Sequence, residues 1–310
     1  MRKTSLDLVY QLAKKDERIF FIGSDLGVGT LDEFRREIPQ RFLMEGVSEM
    51  NIVGMAAGLA LEGKIVYVNT IATFLTRRCF EQNVLDLGLH NLPVRLISNG
   101  GGVVYAPLGP THLAIDDLAI MRSIPNMTIV APSDAEEMKR LIPQTVDYPG
   151  PIYIRLGKGG DPIVSNPDLP FRIGKAIPLV TGDDALLVTT GITLKIGLDA
   201  AATLRTQGIG CTVLHMHTVK PLDVEALLAH TGRVRAVVTI EEHTVIGGLG
   251  GAVAEVLAEA ALEPARKFKR IGIEDQFPHG YGSQATMMAS CGITVERTVA
   301  TVQGLLASRQ

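Results

Sequence analysis

The sequence is poor in cysteine, in net charge and in long apolar runs, and each shortage excludes a class of protein. Its three cysteines, Cys79, Cys211 and Cys291, are scattered and form no C-x-x-C motif, so a disulfide framework and a cysteine metal cage are excluded. The net charge of −3 provides no attraction for nucleic acid or an anionic membrane. No apolar stretch is long enough to span a bilayer, and the N-terminus lacks the apolar core of a signal peptide. We therefore expect a soluble cytoplasmic protein.

What the sequence does contain is a core and a regular alternation of strands and helices. The chain has 310 residues, of which 46% are apolar, and this is enough for two domains. Short apolar runs alternate with amphipathic stretches of helical length, a pattern typical of parallel sheets that are covered on both faces. The predicted strands are 18–24, 64–70, 93–99, 127–133, 151–157, 185–191, 211–218, 234–240 and 269–275.

A segment rich in proline and glycine, residues 158–175, interrupts the alternation and indicates a linker. We therefore predict an α/β fold with two doubly wound domains, at residues 1–157 and 176–310. Each domain is expected to have a largely parallel sheet.

The stretch S-E-M-N-I-V-G-M-A-A-G-L-A-L, residues 48–61, places a carboxylate at the head of an apolar helix. One interpretation is structural, because the helix dipole favours a glutamate in the first turn and Ser48 is suited to cap the helix. The other interpretation is functional. The small residues that follow indicate close packing, so Glu49 would be desolvated and would need a hydrogen-bonded partner, such as a ligand nitrogen.

Two further stretches have a structural and a functional interpretation. In T-F-L-T-R-R-C-F-E-Q, residues 73–82, helical spacing brings Phe74, Arg77 and Phe80 near one face. They would form either a core stripe or an aromatic wall for a flat ring, with Arg77 able to stack or to bind an anion. In residues 98–127, a strand leads into a Gly/Pro-rich loop that ends at His112. Such loops, at the carboxyl ends of parallel strands, are where open α/β sheets bind their ligands.

Other motifs point less clearly to chemistry. His215 and His217 would lie on one face of a strand as a metal pair, but no third ligand has suitable spacing, so we predict no metal site. Residues 247–257, G-G-L-G-G-A-V-A-E-V-L, suggest a dinucleotide loop, but Val253 occupies the last glycine position of that motif. Close helix packing is the favoured reason for these glycines.

Taken in order, the three main stretches resemble the C-terminal portion of the transketolase family, which depends on thiamine diphosphate. The matching segments are G-V-S-E-M-N-I-V-G-M-A-A-G-L-A-L, T-F-L with a second ring six residues beyond Phe74, and G-P-T-H followed by I-P-N and P-S-D. The segments H-T-V-K-P-L-D and E-E-H-T-V-I-G-G-L-G-G are similar to the family's C-terminal domain. The resemblance covers essentially the whole chain and implies a pyrimidine-binding domain followed by that C-terminal domain.

The resemblance also implies roles for individual residues. The family's matching glutamate hydrogen-bonds N1′ of the cofactor's aminopyrimidine, and this favours the imino tautomer whose nitrogen takes the proton from C2. Glu49 and His112 are therefore the expected catalytic residues. The expected cofactor-binding residues are Glu49, Phe74, Arg77, Phe80 and Asp25.

One part of the family's active site is missing from the sequence. The family binds the diphosphate through Mg²⁺ with a G-D-G motif in an N-terminal domain, and this chain contains no G-D-G. The resemblance thus implies a split transketolase, active as an α2β2 heterotetramer whose separate N-terminal subunit carries the Mg²⁺ ligands. The expected reaction is transfer of a two-carbon ketol unit from a ketose, phosphorylated or not, to an aldehyde.

Three alternatives stay open at this point: a decarboxylating subunit like deoxyxylulose-phosphate synthase, a 2-oxoacid dehydrogenase β-like subunit, and a non-catalytic scaffold. A nicotinamide dehydrogenase is disfavoured by the broken glycine pattern.

The residues that would bind the substrate depart from the family pattern. Arg2 matches the first arginine of the family's phosphate site, and Lys158 replaces the second. Gly29, Gly100 and Leu108 stand where a serine, a histidine and an aspartate are expected. Because lysine cannot reproduce the bidentate fork of arginine, we expect Arg2, His112 and Lys158 to bind an unusual sugar or keto acid.

Overall fold

Two sheets organise the chain in a computed structural model that describes residues 1–24, 29–157 and 159–307. The first sheet has the strand order β10-β5-β6-β4-β3-β1-β2, and the second has the order β12-β11-β8-β9-β7. Neighbouring strands are parallel, except that β10 is antiparallel to β5 and β7 to β9. The strands are β1 Ile19–Gly23, β2 Phe42–Met44, β3 Ile65–Ile71, β4 Val94–Asn99, β5 Thr128–Val130, β6 Ile152–Arg155, β7 Ile177–Val180, β8 Ala185–Thr189, β9 Cys211–His215, β10 Thr218–Lys220, β11 Ala236–Thr244 and β12 Lys267–Ile273.

Helices connect the strands and cover the sheets, and the predicted α/β class with largely parallel sheets is confirmed. The α-helices are α1 Arg2–Ala13, α2 Asp32–Glu37, α3 Glu49–Leu61, α4 Phe80–Gln82, α5 Asp117–Arg122, α6 Ala135–Gln144, α7 Leu194–Thr206, α8 Val224–Thr231, α9 Leu249–Glu259, α10 Gln284–Ser290 and α11 Val295–Ala307. Phe74–Arg78 and Asn83–Leu89 are π-helical. No helix in the described part of the chain combines the length and the apolar character needed to cross a bilayer.

All nine predicted strands exist, but three others were missed and one prediction must be corrected. The predicted strand 211–218 is two strands, because β9 ends at His215 and Thr218–Lys220 forms β10, which pairs with β5 of the first sheet. The short β2 escaped prediction, as did β7. Strand β7 contains Pro178 and lies at a sheet edge, where a missing N–H is tolerated.

The described part of the predicted linker, residues 159–175, forms no helix or strand but is firmly attached. The Asp134 carboxylate accepts hydrogen bonds from the backbone N–H groups of Val164 and Ser165 at 2.9 and 2.8 Å. Arg140 donates to the carbonyl of Leu169 at 2.8 Å. The backbone of this linker is thus anchored to α6 and to the residue that precedes α6. The domain boundaries at 157 and 176 stay a prediction.

A buried ion pair joins the first sheet to the second. Arg155, at the end of β6, donates from Nε and Nη2 to the Asp117 carboxylate at 2.7 and 3.1 Å. Asp117 is fully buried and Arg155 is 6% exposed. The Tyr153 hydroxyl donates to the same carboxylate at 2.8 Å. Arg155 Nη2 also donates to the backbone carbonyl of Glu242 in β11 at 2.8 Å, so one guanidinium connects both sheets.

Strand β11 also fixes the segment that follows β4. The Glu242 carboxylate accepts hydrogen bonds from the N–H of Val103 at 2.8 Å and from the side chain of Gln284 at 2.9 Å. The N–H of Thr244 donates to the carbonyl of Ile115 at 2.7 Å. Burial raises the pKa of Glu242 to about 7. The segment 103–115 is therefore held near both of its ends by a strand of the second sheet.

His215 and His217 form a second set of contacts, which connect the end of β9 to α6 and to the linker. His215 Nε2 lies 3.1 Å from Oε2 of Glu137 in α6. The same carboxylate accepts from the N–H of Ser133 at 2.7 Å. His217 stacks on Phe171, with ring centroids 4.0 Å apart. Burial opposes ionisation of Glu137, but the two histidines hold its pKa down to about 2.

We expect Asp117→Ala to lower the free energy of unfolding by about 3–5 kcal/mol, because it leaves the Arg155 guanidinium buried without its carboxylate. Urea unfolding measures the change. Asp199→Ala is the control, since Asp199 pairs with Lys195 on the exposed face of α7 and its loss is expected to cost less than about 1 kcal/mol. Equal losses in the two variants would contradict a structural role for the buried pair.

Glu242→Gln is expected to change how stability depends on pH. The pKa of Glu242 is raised from 4.5 to about 7 in the folded chain, so its stabilising contribution is complete below pH 4.5 and is lost as the pH rises through 7. The loss amounts to roughly 3 kcal/mol. Glutamine keeps the acceptor oxygen but cannot ionise.

The test compares urea unfolding at pH 5 and pH 8. The glutamine variant should match the unmodified chain at pH 5 and exceed it in stability at pH 8. Glu62→Gln, at an exposed position, should leave the difference between the two pH values unchanged. A similar fall in stability with pH in Glu242→Gln and in the unmodified chain would refute the assignment.

Candidate active site

The candidate residues gather at the carboxyl edge of the first sheet, where four adjacent parallel strands end. Strands β4, β3, β1 and β2 are neighbours in that order. Phe74 follows β3, the His112 loop follows β4, and Glu49 begins the helix after β2. Ligands of open parallel sheets bind at this edge. The topology therefore brings together residues that are far apart in the sequence.

Glu49 is the first residue of α3 and is 2% exposed. Helix α3 is drawn close to the sheet by its buried small and branched residues, Ile52, Val53, Ala56, Ala57 and Ala60. Ser48 stands at the N-cap position, but its hydroxyl donates to the carbonyl of Glu45 at 2.7 Å, and it makes no side-chain cap. The expectation of a capping Ser48 is therefore wrong. Because it is buried, the Glu49 carboxylate needs a hydrogen-bonded partner.

That partner is Arg78, which the sequence interpretation did not identify. Arg78 Nη1 lies 2.5 Å from Oε2 of Glu49. The guanidinium carbon lies 4.2 Å from the centroid of the Phe74 ring, a cation–π distance. Arg78 is four residues beyond Phe74, and side chains at this spacing are neighbours on the surface of a helix; the segment Phe74–Arg78 is π-helical. The sequence did carry a signal for this pair: two adjacent arginines, Arg77 and Arg78, and a glutamate, Glu49, that was expected to be buried and to need a partner.

His112 completes a continuous set of contacts. Its ring meets Phe74 edge-on, with centroids 5.2 Å apart and an interplanar angle of 71°. His112 ends a single 3-10 turn and is partly buried. Its Nδ1 lies 2.9 Å from the hydroxyl of Thr111. Glu49, Arg78, Phe74 and His112 are thus connected, although three separate segments of the chain supply them.

The structure gives Arg77 and Phe80, which were predicted to lie near one face with Phe74, different surroundings. Arg77 Nη2 donates to the backbone carbonyl of Leu113 at 2.7 Å, and its Nε lies 3.7 Å from Oδ1 of Asp116. Burial raises the pKa of Asp116. Phe80 begins α4 and is 37% exposed. Arg77 therefore fixes the backbone beside His112, and the cofactor-binding roles of Arg77 and Phe80 stay predictions.

The position where the family pattern has a histidine is occupied by Gly100 for a steric reason. Gly100 has φ of +76°, and a Cβ atom there would lie 2.1 Å from Cε2 of Tyr105. A side chain at residue 100 is thus excluded unless Tyr105 moves. Leu108, which replaces the family's aspartate, is 53% exposed. The chain therefore departs from the family pattern at these two positions, and a substrate role for this region stays a prediction.

The other predicted substrate and cofactor residues are only partly described. Arg2 is the first residue of α1 and is half-buried. The side chain of the preceding Met1 lies against Gly157, so α1 begins beside the end of the first predicted domain. Asp25 and Lys158 lie outside the described residues.

The two weaker motifs have structural explanations. His215 pairs with Glu137, and His217 stacks on Phe171. No group of three potential metal ligands occurs in residues 1–24, 29–157 and 159–307. At the start of α9, the Glu241 carboxylate accepts from the N–H groups of Leu249 and Gly250 at 2.7 and 2.8 Å. A Cβ at Gly250 would lie 2.8 Å from the Thr239 hydroxyl oxygen, which confirms close packing as the reason for glycine there.

Comparison with known proteins assigns both parts of the chain to one family. The family model for the pyrimidine-binding domain of transketolase matches residues 1–160, and the model for the transketolase C-terminal domain matches residues 174–297. A curated relative, the 6-deoxy-6-sulfo-D-fructose transketolase subunit SqwH of Clostridium sp. strain MSTE9, is 38% identical over 278 residues, which cover 89% of this chain and 85% of the relative.

A larger enzyme and a solved structure extend the comparison. The 1-deoxy-D-xylulose-5-phosphate synthase 1 of Geobacter sulfurreducens is 38% identical over 98% of this chain, but the match covers 47% of that enzyme. A solved structure described as a split gene transketolase, inactive β4 tetramer, is 35% identical and has a TM-score of 0.91, over 100% of this chain and 99% of the other. The chain therefore belongs to the transketolase family, of which it contains the pyrimidine-binding and C-terminal domains.

Proposed function

We propose that the chain is the pyrimidine-binding subunit of a split transketolase that uses thiamine diphosphate. It transfers a two-carbon ketol unit from a ketose, phosphorylated or not, to an aldehyde acceptor. The observation that carries the proposal is the buried Glu49 carboxylate, which the Arg78 guanidinium connects to the Phe74 ring, with His112 in contact with that ring. Membership of the transketolase family supports the same reaction class.

The residues present fit the aminopyrimidine of this cofactor. A planar guanidinium already lies over Phe74 and bonds to Glu49, so the space accepts a flat group with an N–C–N edge. Glu49 would hold a ring nitrogen, and Phe74 would stack on the ring. When bound, thiamine diphosphate supplies the nucleophilic carbon and the electron sink for ketol transfer.

The chain's own contribution is to move protons and to exclude water. Glu49 is 2% exposed, so its carboxylate can exchange a proton with a ring nitrogen out of contact with bulk water. The hydroxyl of Thr111 engages Nδ1 of His112. We therefore assign Nε2 to the substrate, where it would donate to or accept from a reacting oxygen.

An open face of α3 supports a partner subunit. On the side opposite the buried stripe, Met50 and Leu61 are 52% and 64% exposed. Between them, a Cβ placed at Gly54 or Gly58 meets nothing within 4 Å. This face, which we call the α3 strip (Met50, Gly54, Gly58 and Leu61), begins one residue from Glu49. Exposed apolar surface of this kind marks interaction sites.

We assign the Mg²⁺ and diphosphate site to that partner, in an α2β2 heterotetramer. The sequence contains no G-D-G motif, and the described residues contain no cluster of potential metal ligands. The solved relative that is described as an inactive β4 tetramer supports a role for a second kind of subunit in activity.

Thiamine diphosphate with Mg²⁺ is expected to bind a mixture of this chain and a diphosphate-binding subunit, and to bind this chain alone at least about tenfold more weakly. The reason is that isolated Glu49 and Phe74 provide no site for the charged end of the cofactor. Glu49→Gln is expected to lower ketol transfer by a factor of about 10²–10⁴. Calorimetric titration and a coupled assay measure the two effects.

Glu45→Gln is the matched control, because Glu45 is an exposed carboxylate four residues before Glu49. A screen with ketose donors and with pyruvate separates ketol transfer from the decarboxylating alternative. Failure of the cofactor to bind either the chain or the mixture would sink the proposal and leave the non-catalytic scaffold as the function.

Gly58→Leu is expected to weaken assembly with the partner by at least about tenfold while leaving the fold intact. The space around residue 58 is open in the chain, and leucine has a higher helix propensity than glycine by roughly 0.8 kcal/mol. Sedimentation measures assembly and thermal unfolding measures stability. Gly304→Leu is the control, since Gly304 is also helical and open but lies in α11. Unchanged assembly in Gly58→Leu would remove the α3 strip from the interface.

A further inference from the structure

We propose that Arg78 competes with the cofactor's aminopyrimidine for Glu49 and Phe74, and thereby sets how tightly the site binds thiamine diphosphate. The inference rests on the proposed function and adds a residue to it. Arg78 was not among the residues expected from the sequence.

The first step is a match of shape and bonding. A guanidinium is flat and presents an N–C–N edge of hydrogen-bond donors. In this chain its central carbon lies 4.2 Å from the centre of the Phe74 ring, and its Nη1 lies 2.5 Å from Oε2 of Glu49. A stacked aminopyrimidine would occupy the same two places, above Phe74 and beside Oε2 of Glu49, although its ring nitrogen would accept a hydrogen bond from the protonated carboxyl where the guanidinium donates to the carboxylate. The guanidinium of Arg78 is thus a stand-in for the ring.

The second step is that the two groups exclude each other. A stacking distance of 4.2 Å leaves no room for another planar group between the guanidinium and Phe74. The edge of Phe74 is already in contact with His112. Glu49 is almost fully buried and cannot turn toward solvent to meet a second partner. Binding of the ring therefore requires that Arg78 leave.

The third step is that Arg78 is able to leave. Its side chain is 39% exposed, against 2% for Glu49, and it is the last residue of the π-helix. Rotation into water keeps the guanidinium hydrated, while the Glu49 carboxylate takes up a proton from solvent and donates it in a hydrogen bond to the ring nitrogen. The apparent affinity for the cofactor is then lowered by the fraction of molecules in which Arg78 holds the site.

The test is calorimetric titration of thiamine diphosphate with Mg²⁺ into the complex of this chain with its diphosphate-binding subunit. Arg78→Ala is expected to lower Kd by about ten- to a hundredfold, the range for loss of a competing charged hydrogen bond. Arg78→Lys keeps the positive charge but not the planar guanidinium group, and should lower Kd by a smaller factor. Arg36→Ala, which removes an exposed arginine on α2, should leave Kd unchanged.

A second measurement distinguishes competition from a general change in the fold. In Arg78→Ala, millimolar methylguanidinium should refill the space and raise Kd for the cofactor, whereas the same concentration of sodium chloride should not. The unmodified complex should respond equally to both salts. Thermal unfolding confirms that each variant is folded. If Arg78→Ala does not fold, the Kd of Arg78→Lys is compared with that of the unmodified complex instead.

The outcomes separate this inference from the function on which it rests. Equal or weaker cofactor binding in Arg78→Ala and Arg78→Lys, with clear binding in the unmodified complex, would overturn the role of Arg78 and leave the proposed function standing. No binding in any of these complexes would overturn both.

Discussion

The geometry of this chain depends on the buried ion pair between Asp117 and Arg155. Two charges that are removed from water are stable only when their hydrogen-bonding groups are satisfied, and here the satisfaction comes from both sheets. Tyr153 of the first sheet donates to Asp117, and Arg155 donates to the backbone of Glu242 in the second. Displacing β11 would therefore leave a guanidinium group unsatisfied in the interior. The second sheet thus positions the loop that carries His112, although it supplies none of the contacts within the candidate site.

A second constraint is the carboxylate at the head of α3. The buried Glu49 carboxylate requires a partner both with and without bound cofactor, because an unpaired charge out of water costs several kcal/mol. The protein and the proposed cofactor offer alternative partners of the same shape, a guanidinium and an aminopyrimidine. The partly exposed Arg78 can yield its place, whereas Glu49 cannot. Such an arrangement keeps the carboxylate buried in both cases, so the pocket need not be rebuilt when its occupant changes.

The sequence predicted the elements better than the contacts between them. Apolar runs identified all nine strands that were proposed, because continuous burial in a parallel sheet leaves a clear pattern. Strand β10 was missed because it pairs with β5, far away in the sequence, and its three residues carry no periodicity. Motif resemblance named Glu49, Phe74 and His112 for one site; in the structure Arg78 connects Glu49 to Phe74, and His112 contacts Phe74, while their roles stay proposals. Arg78 was missed because its partner Glu49 lies 29 residues away in the sequence, and the spacing of residues within one helix carries no signal for an ion pair between two segments.

At the start of α3, the buried residue Glu49 is followed directly by the exposed residue Met50. Glu49 points into the chain, while Met50 and the open backbone at Gly54 and Gly58 face outward on the same helix. Any partner that covers the α3 strip comes within one helical turn of the carboxylate. Because Arg78 is partly exposed and pairs with that carboxylate, we expect a partner that covers this end of α3 to change its hydration. Assembly and occupancy of the pocket therefore act on the same side chain, and a split enzyme of this design can couple the two without moving the sheet.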